Sequence, residues 1–159
     1  MAIKVAILTV SDKCSEGKRE DVSGQTIEEM LPEALFEVCE KTIVPDDFRA
    51  IASALRNLSD EHNLDIVLTT GGTGLGPRDV TPEATMRVCE RMVPGLNEIL
   101  RLESFKKTPN AVLSRGVSGI RENTLIINLP GSPKAVRECL EIILDVLPHA
   151  VEMMRGGGH

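Results

Sequence analysis

A glycine-dense turn between an apolar strand and a proline-started helix constrains this chain more than any other feature. Residues 69–85 read TTGGTGLGPRDVTPEAT and follow the apolar run 64–68. Thr81 and Pro82 predict an N-cap with proline at the first helical position. Glycine lets a ligand approach backbone amides closely, and a helix N-terminus adds unpaired N–H groups with a partial positive charge. The turn therefore predicts an anion site, and phosphate is the anion that it suits.

The turn departs from the common nucleotide-binding fingerprints. A P-loop needs Lys and then Ser or Thr after its last glycine, whereas Gly76 is followed by Pro77 and Arg78. The dinucleotide fingerprint reads GxGxxG, whereas Gly72, Gly74 and Gly76 are evenly spaced. One alternative stays open, namely that the glycines serve only a tight turn.

Composition limits the classes of partner. The chain has 159 residues, 42% hydrophobic and 26% charged, and we expect a single domain over residues 1–155 with a flexible tail at 156–159. A net charge of −6 and only three aromatic residues argue against nucleic acid, which needs basic side chains and stacking platforms. No leader pattern and no apolar stretch of bilayer-spanning length is present, which predicts a cytoplasmic protein without a membrane partner. The four cysteines form no CxxC pair, so neither a zinc site nor a disulfide framework is indicated.

Strand patterns alternate with helix patterns along the chain. Strands are predicted at residues 3–10, 37–44 and 64–68, and helices at 23–35, 48–58, 81 onward, 94–105, 132 onward and 148 onward. Residues 112–122 and 124–129 are joined by so short a turn that they predict a hairpin, which places one antiparallel strand in the sheet. The order predicts an α/β fold, with a mostly parallel sheet and helices on both faces.

Four polar segments directly follow predicted strands. They are Ser11-Asp12, Pro45-Asp46, the turn 71–79 and the segment 130–132. Because ligands of parallel sheets bind beyond the carboxyl ends of the strands, we expect these segments to form one binding edge.

Each candidate also has an ordinary structural interpretation. Asp46 and Ser132 are good helix N-caps, and Arg78 and Asp79 can pair with each other across the turn. Ser114 can simply begin a strand. The coincidence of carboxylates, an arginine, serines and glycines at one edge favours a functional site.

Five motifs, in this order, resemble those of the molybdopterin adenylyltransferase family, the MogA/MoaB group that also supplies a domain of gephyrin. They are the opening strand with Ser11-Asp12, the corner Val44-Pro45-Asp46, the glycine turn with its PRDVTPEAT continuation, Leu113-Ser114-Arg115, and NLPGSPK at 128–134. The resemblance covers nearly the whole chain. It implies a three-layer α/β fold, commonly a homotrimer, that uses ATP and a divalent metal to adenylylate molybdopterin before molybdenum is inserted.

The resemblance also implies residue roles. Asp46 and Asp79 match the two acidic residues that the family needs for activity, and Ser114 matches a serine implicated in holding the pterin. As metal ligands, Asp46 and Asp79 would hold Mg²⁺ against the phosphates of the co-substrate ATP.

The residue types suit that chemistry, since phosphoryl-type transfer depends on positioning and on neutralising charge. Arg78 is expected to stabilise the developing negative charge. Backbone amides are expected to cradle phosphate at Gly71, Gly72, Thr73 and Gly74. Further candidates for nucleotide or pterin contacts are Ser11, Asp12, Gly131 and Ser132.

Alternatives to the enzyme remain at this stage. The chain could bind molybdopterin without supplying the main adenylylation activity, or act as a trimeric scaffold subunit, although the lack of a linker or appended domain counts against the scaffold. The sequence does not show whether a tungsten pathway is served instead, how ATP and pterin divide the edge, or which other cofactor-assembly proteins dock.

Overall fold

The computed structural model describes residues 1–157, in which strands and helices alternate. The strands are β1 (Ile3–Val10), β2 (Phe36–Val44), β3 (Ile66–Thr70), β4 (Arg91–Met92), β5 (Ser118–Arg121) and β6 (Thr124–Leu129). The helices are α1 (Asp12–Ser15), α2 (Val22–Met30), α3 (Phe48–Asp60), α4 (Thr81–Val88), α5 (Pro94–Lys107), α6 (Pro133–Ile143) and α7 (Leu147–Met154). Short 3₁₀ helices cover Pro109–Leu113 and Leu144–Val146. The predicted tail falls partly on residues 158 and 159, which lie outside the described residues, so the domain bounds stay a prediction.

The six strands form one sheet in the order β2-β1-β3-β6-β5-β4. Strands β2, β1, β3 and β6 are parallel, and β5 pairs antiparallel with both of its neighbours. The predicted antiparallel pairing of the last two strands, β5 and β6, is confirmed. Strands β2 and β3 lie on opposite sides of β1, so the strand order reverses direction at β1. Ligands of open α/β sheets bind at such a reversal of strand order.

Strand β1 shows how the sheet is covered on both faces. Its alternate residues Val5 and Ile7 belong to one buried cluster together with Leu140 of α6, whereas Leu8 belongs to a second cluster with Leu55 of α3. Successive strand residues point to opposite faces, so a continuous apolar strand supplies both clusters. The predicted three-layer α/β fold is confirmed.

Two local predictions were wrong. Residues 112–117 are not strand, because Pro109–Leu113 forms a 3₁₀ helix and β5 begins only at Ser118. Helix α2 ends at Met30 rather than near Leu35, because the residue before Pro32 is pushed out of the helical region into extended backbone. Among the helices within residues 1–157, none combines the length and the apolar character that crossing a bilayer requires.

Candidate functional site

A cleft of about 440 Å³ opens at the carboxyl ends of the parallel strands, and we call it the glycine-turn cleft. Its walls come from the ends of β1 and β3, from the residues after β2 and β6, and from the loop between α1 and α2. The four polar segments thus meet at one edge. The lining residues that the sequence had singled out are Ser11, Asp46, Gly71, Gly72, Asp79 and Gly131.

Gly71 and Gly72 allow the chain to turn sharply out of β3. A Cβ atom on Gly71 would stand 2.2 Å from the carbonyl oxygen of Val10, and one on Gly72 would stand 2.1 Å from Oγ1 of Thr81. Both glycines have positive φ, +99° and +71°, a conformation that side chains rarely adopt. The turn therefore packs its backbone directly against β1 and against the start of α4.

Thr81 secures the turn, but not as the predicted N-cap. Its hydroxyl donates to the carbonyl of Gly71 at 3.0 Å, and its N–H donates to the carbonyl of Gly72 at 3.1 Å. Val80 is the N-cap residue of α4 and contributes no side-chain hydrogen bond. The N-cap prediction was wrong because the Thr81 hydroxyl is used by the turn instead.

Replacing Gly71 with alanine should lower the free energy of unfolding by about 1–3 kcal/mol, the usual cost of a strained backbone position, with the contact to the Val10 carbonyl adding to it. Equilibrium urea denaturation measures this. Gly95→Ala is the matched control, because a Cβ there meets no atom within 4 Å and Gly95 lies in helix α5. A Gly71→Ala variant as stable as the control would contradict the geometry of the turn.

The two carboxylates of the glycine-turn cleft are each held by one oxygen. Oδ2 of Asp46 accepts the N–H of Asp12 at 2.9 Å, and Oδ2 of Asp79 accepts the N–H of Gly76 at 2.9 Å. Within residues 1–157 the other oxygen of each accepts no hydrogen bond. Burial raises the pKa of Asp46, and the negative charges of Asp12 and Asp79 also raise it. The hydrogen bond from the backbone N–H of Asp12 acts in the opposite direction and lowers this pKa. Asp46 and Asp79 line the same cleft.

This donor set suits Mg²⁺. Magnesium prefers oxygen ligands and is usually held by one or two carboxylates together with substrate phosphates and water. No group of three or more His, Cys, Asp or Glu side chains able to hold a metal occurs within residues 1–157. A cation on Asp46 and Asp79 would therefore share its coordination with a substrate.

Asp46 is available to the cleft because its neighbour caps α3. Oδ2 of Asp47 accepts the N–H of Ala50 at 2.9 Å, so the N-cap interpretation of Asp46 was wrong. For Ser132 that interpretation was right, since its Oγ accepts the N–H of Ala135 at 3.2 Å at the start of α6.

Arg78 does not line the glycine-turn cleft, because it pairs with Asp12. Its Nε and Nη2 donate to the two carboxylate oxygens of Asp12 at 2.7 and 3.0 Å, which lowers the pKa of Asp12. Asp12 Oδ1 also accepts the N–H of Asp46 at 3.0 Å. The interpretation that Arg78 pairs with Asp79 was wrong. Asp12 and Arg78 instead brace the backbone that carries Asp46.

Thr73 and Gly74 also lie outside the lining, and their carbonyls accept hydrogen bonds from Arg115. The N–H of Arg115 donates to Thr73 and its Nε to Gly74, both at 2.8 Å. Its Nη2 donates to the Asp79 carbonyl at 2.6 Å, and the guanidinium forks onto Glu83 at 2.7 and 3.1 Å. Arg115 thus fixes the turn to α4, a role that the sequence did not reveal beyond its place in a motif.

A second cleft, of about 360 Å³, lies on the other side of the segment 130–133, and we call it the Ser114 cleft. Pro130 and Ser132 line the Ser114 cleft, whereas Gly131 and Pro133 line the glycine-turn cleft. The segment therefore separates the two. Polar side chains of the Ser114 cleft include Asn97, Arg101, Ser114, Ser132, Lys134 and Glu138.

The loop between α1 and α2 supplies lining residues to which the sequence had assigned no role. Asp21 caps α2 through the N–H of Gly24 at 2.9 Å and accepts the hydroxyl of Thr9 at 2.7 Å. Arg19 lies beside it in the lining of the glycine-turn cleft. The available signal was a run of charged residues placed directly after the first strand.

Residues 6–149 match the family described as "Probable molybdopterin binding domain". The chain belongs to this family. The matched range includes all lining residues of both clefts.

Named relatives agree with this membership. The molybdopterin adenylyltransferase of Helicobacter pylori strain J99 is 46% identical over 156 residues, which are 97% of this chain and 89% of the relative. The solved structure of the molybdopterin biosynthesis enzyme MoaB from Thermus thermophilus is 52% identical, with a TM-score of 0.92 and 97% coverage of both chains. The tungsten cofactor synthesizing protein MoaB from Pyrococcus furiosus is 36% identical, with a TM-score of 0.88, 97% coverage of this chain and 98% of its own. The predicted resemblance to the MogA/MoaB group is confirmed, and the names of relatives support the predicted nucleotidyltransferase class and a role in molybdenum cofactor biosynthesis.

Proposed function

We propose that this chain adenylylates molybdopterin with ATP, with Mg²⁺ held by Asp46 and Asp79. A terminal phosphate oxygen of molybdopterin attacks the α-phosphorus of ATP, the bond from that phosphorus to the bridging oxygen breaks, and pyrophosphate leaves. The observation that carries the proposal is the shared cleft, in which a glycine turn and two carboxylates, each with an unengaged oxygen among residues 1–157, meet at the strand ends.

The residues of the glycine-turn cleft suit a transfer of this kind. Such reactions need positioning and charge neutralisation more than covalent help from the protein. The N–H of Gly71 donates to the carbonyl of Leu129 at 3.2 Å, whereas the N–H of Gly72 donates to no residue among 1–157 and can bind a phosphate oxygen. Bound Mg²⁺ would supply positive charge next to the phosphate oxygens, where Asp46 and Asp79 would hold it.

We assign the nucleotide to the glycine-turn cleft and the pterin to the Ser114 cleft. A pterin ring carries several donors and acceptors, and the Ser114 cleft offers amide, hydroxyl and charged side chains of both signs, including Asn110, Lys134 and Glu138. The reacting phosphates would then meet near the segment 130–133, which borders both clefts.

The decisive experiment mixes the purified protein with molybdopterin, Mg²⁺ and ATP labelled at the α-phosphate. If the chain is the proposed enzyme, pyrophosphate is released in stoichiometric amount and the label appears in the pterin product. Tight pterin binding without pyrophosphate release would favour the binding-only function. A protein that binds neither ATP nor molybdopterin would contradict both the enzyme and the binding-only function and would favour a scaffold subunit.

We also propose that the chain forms a homotrimer. Exposed apolar side chains cluster on α5 and the 3₁₀ helix that follows it, where Leu102, Phe105 and Val112 are 65%, 50% and 55% exposed. Exposed apolar side chains gathered on neighbouring elements are typical of an interaction site. Light scattering on the eluting protein should give three times the mass of the chain, and Leu102→Glu should lower that mass. A monomeric wild-type protein would contradict the proposal.

A further inference from the structure

Arg19 is the one Lys or Arg residue in the lining of the glycine-turn cleft, among the described residues. The acidic residues Glu20, Asp21, Asp46 and Asp79 line the same cleft. Such a cleft repels an anionic ligand unless positive charge offsets the carboxylates. Mg²⁺ on Asp46 and Asp79 would offset that pair, and a polyphosphate brings further negative charge of its own.

Arg19 is also uncommitted, unlike Arg78 and the neighbouring Lys18. Arg78 is forked onto Asp12 outside the lining, and Lys18 pairs with Glu16 at 2.8 Å. The side chain of Arg19 is exposed and makes no hydrogen bond or ion pair within residues 1–157. A ligand in the cleft can therefore engage Arg19 without breaking a contact of the folded protein.

We propose that Arg19 binds a phosphate group of the nucleotide in the glycine-turn cleft, and this rests on the proposed function. The planar guanidinium presents paired N–H donors that match phosphate oxygens, and charge-assisted hydrogen bonds of this type are among the strongest. Arg19 thereby takes the place that the sequence had assigned to Arg78, which lies outside the lining of the cleft. The cleft would hold the polyphosphate between a metal on its acidic side and the loop that carries Arg19.

The test measures equilibrium binding of ATP with Mg²⁺ by titration calorimetry to wild type, Arg19→Ala, Arg19→Gln and Arg19→Lys. Loss of a hydrogen bond to a charged group predicts about 10- to 100-fold weaker binding for the alanine and glutamine variants. Arg19→Lys should recover part of the affinity, because it keeps the charge and loses the fork. The three variants should unfold at the same temperature as wild type, since Arg19 makes no contact to lose.

Lys18→Ala is the matched control, because Lys18 is the preceding residue in the same loop, has the same charge and does not line the cleft. It should change ATP affinity by less than about threefold, as expected for an exposed ion pair. Adenosine, which has no phosphate, should bind equally to wild type and Arg19→Ala.

The outcomes separate the two proposals. Wild-type protein that binds no ATP would overturn the proposed function and this inference with it. Wild-type binding together with equal affinities for Arg19→Ala and Lys18→Ala would overturn the role of Arg19 alone. An equal loss of adenosine affinity in Arg19→Ala would also overturn it, because the side chain would then be acting on something other than phosphate.

Discussion

Asp79→Asn should leave the protein folded and slow adenylyl transfer by about 100-fold or more. The amide oxygen can still accept the N–H of Gly76, which the Asp79 carboxylate accepts at 2.9 Å, so the turn keeps its hydrogen bond. The negative charge is lost, however, and Asp46 alone would have to hold Mg²⁺ against the phosphates. Loss of one group that stabilises transition-state charge typically costs this factor in rate. Single-turnover conversion of labelled ATP measures it.

Asp47→Asn is the control for that variant. Asp47 carries the same charge and adjoins Asp46, but it caps α3 and does not line the glycine-turn cleft. Asparagine is an equally good N-cap, so both stability and transfer rate should stay near those of wild type. Unimpaired turnover in Asp79→Asn would remove Asp79 from the mechanism. An equal loss of transfer rate in both variants would show that the rate depends on the net charge of this region and not on Asp79 itself.

Asn128→Ala should lower the free energy of unfolding by about 3 kcal/mol or more, because several buried polar groups lose their partner at once. Asn128 is 1% exposed, and its Nδ2 donates to the hydroxyls of Thr69 and Thr85 at 3.0 and 2.9 Å. Its Oδ1 accepts the N–H of Val117 at 3.1 Å. One side chain thus joins β6 to β3, to α4 and to the backbone before β5.

Equilibrium urea denaturation tests this expectation. Asn57→Ala, an exposed change on α3, is the control and should stay within about 0.5 kcal/mol of wild type. Equal stabilities of the two variants would show that Asn128 does not hold these elements together.

The sequence was most informative where a local pattern has one physical solution. The nearly continuous apolar residues of β1 indicated a strand buried on both faces, and the glycines after β3 indicated a tight turn, which the positive φ of Gly71 and Gly72 confirms. Helix α3 was predicted from apolar residues at helical spacing, and the structure confirms it over Phe48–Asp60. These features depend on neighbours in the chain, which a sequence displays directly.

The rest of the site depends on partners that are distant in the chain. Arg78 finds Asp12, 66 positions away, and Arg115 finds Glu83, 32 positions away. Nothing in the spacing of an arginine says which carboxylate it will meet after folding. The choice between Asp46 and Asp47 as the cap of α3 was also beyond the sequence, because both are the same residue type and only the backbone decides which one starts the helix.

The two clefts differ in how far side chains form their walls, and this difference affects how substrate preference can change. The glycine-turn cleft is lined by main chain at Gly71 and Gly72, where a single added methyl group collides with a neighbour. The Ser114 cleft is walled mostly by side chains of α5 and α6 and of the residues that follow α5. Substitutions can therefore reshape the Ser114 cleft one side chain at a time, whereas the glycine turn of the other cleft tolerates few substitutions. Divergence in this fold is expected to preserve the nucleotide and to vary what is joined to it.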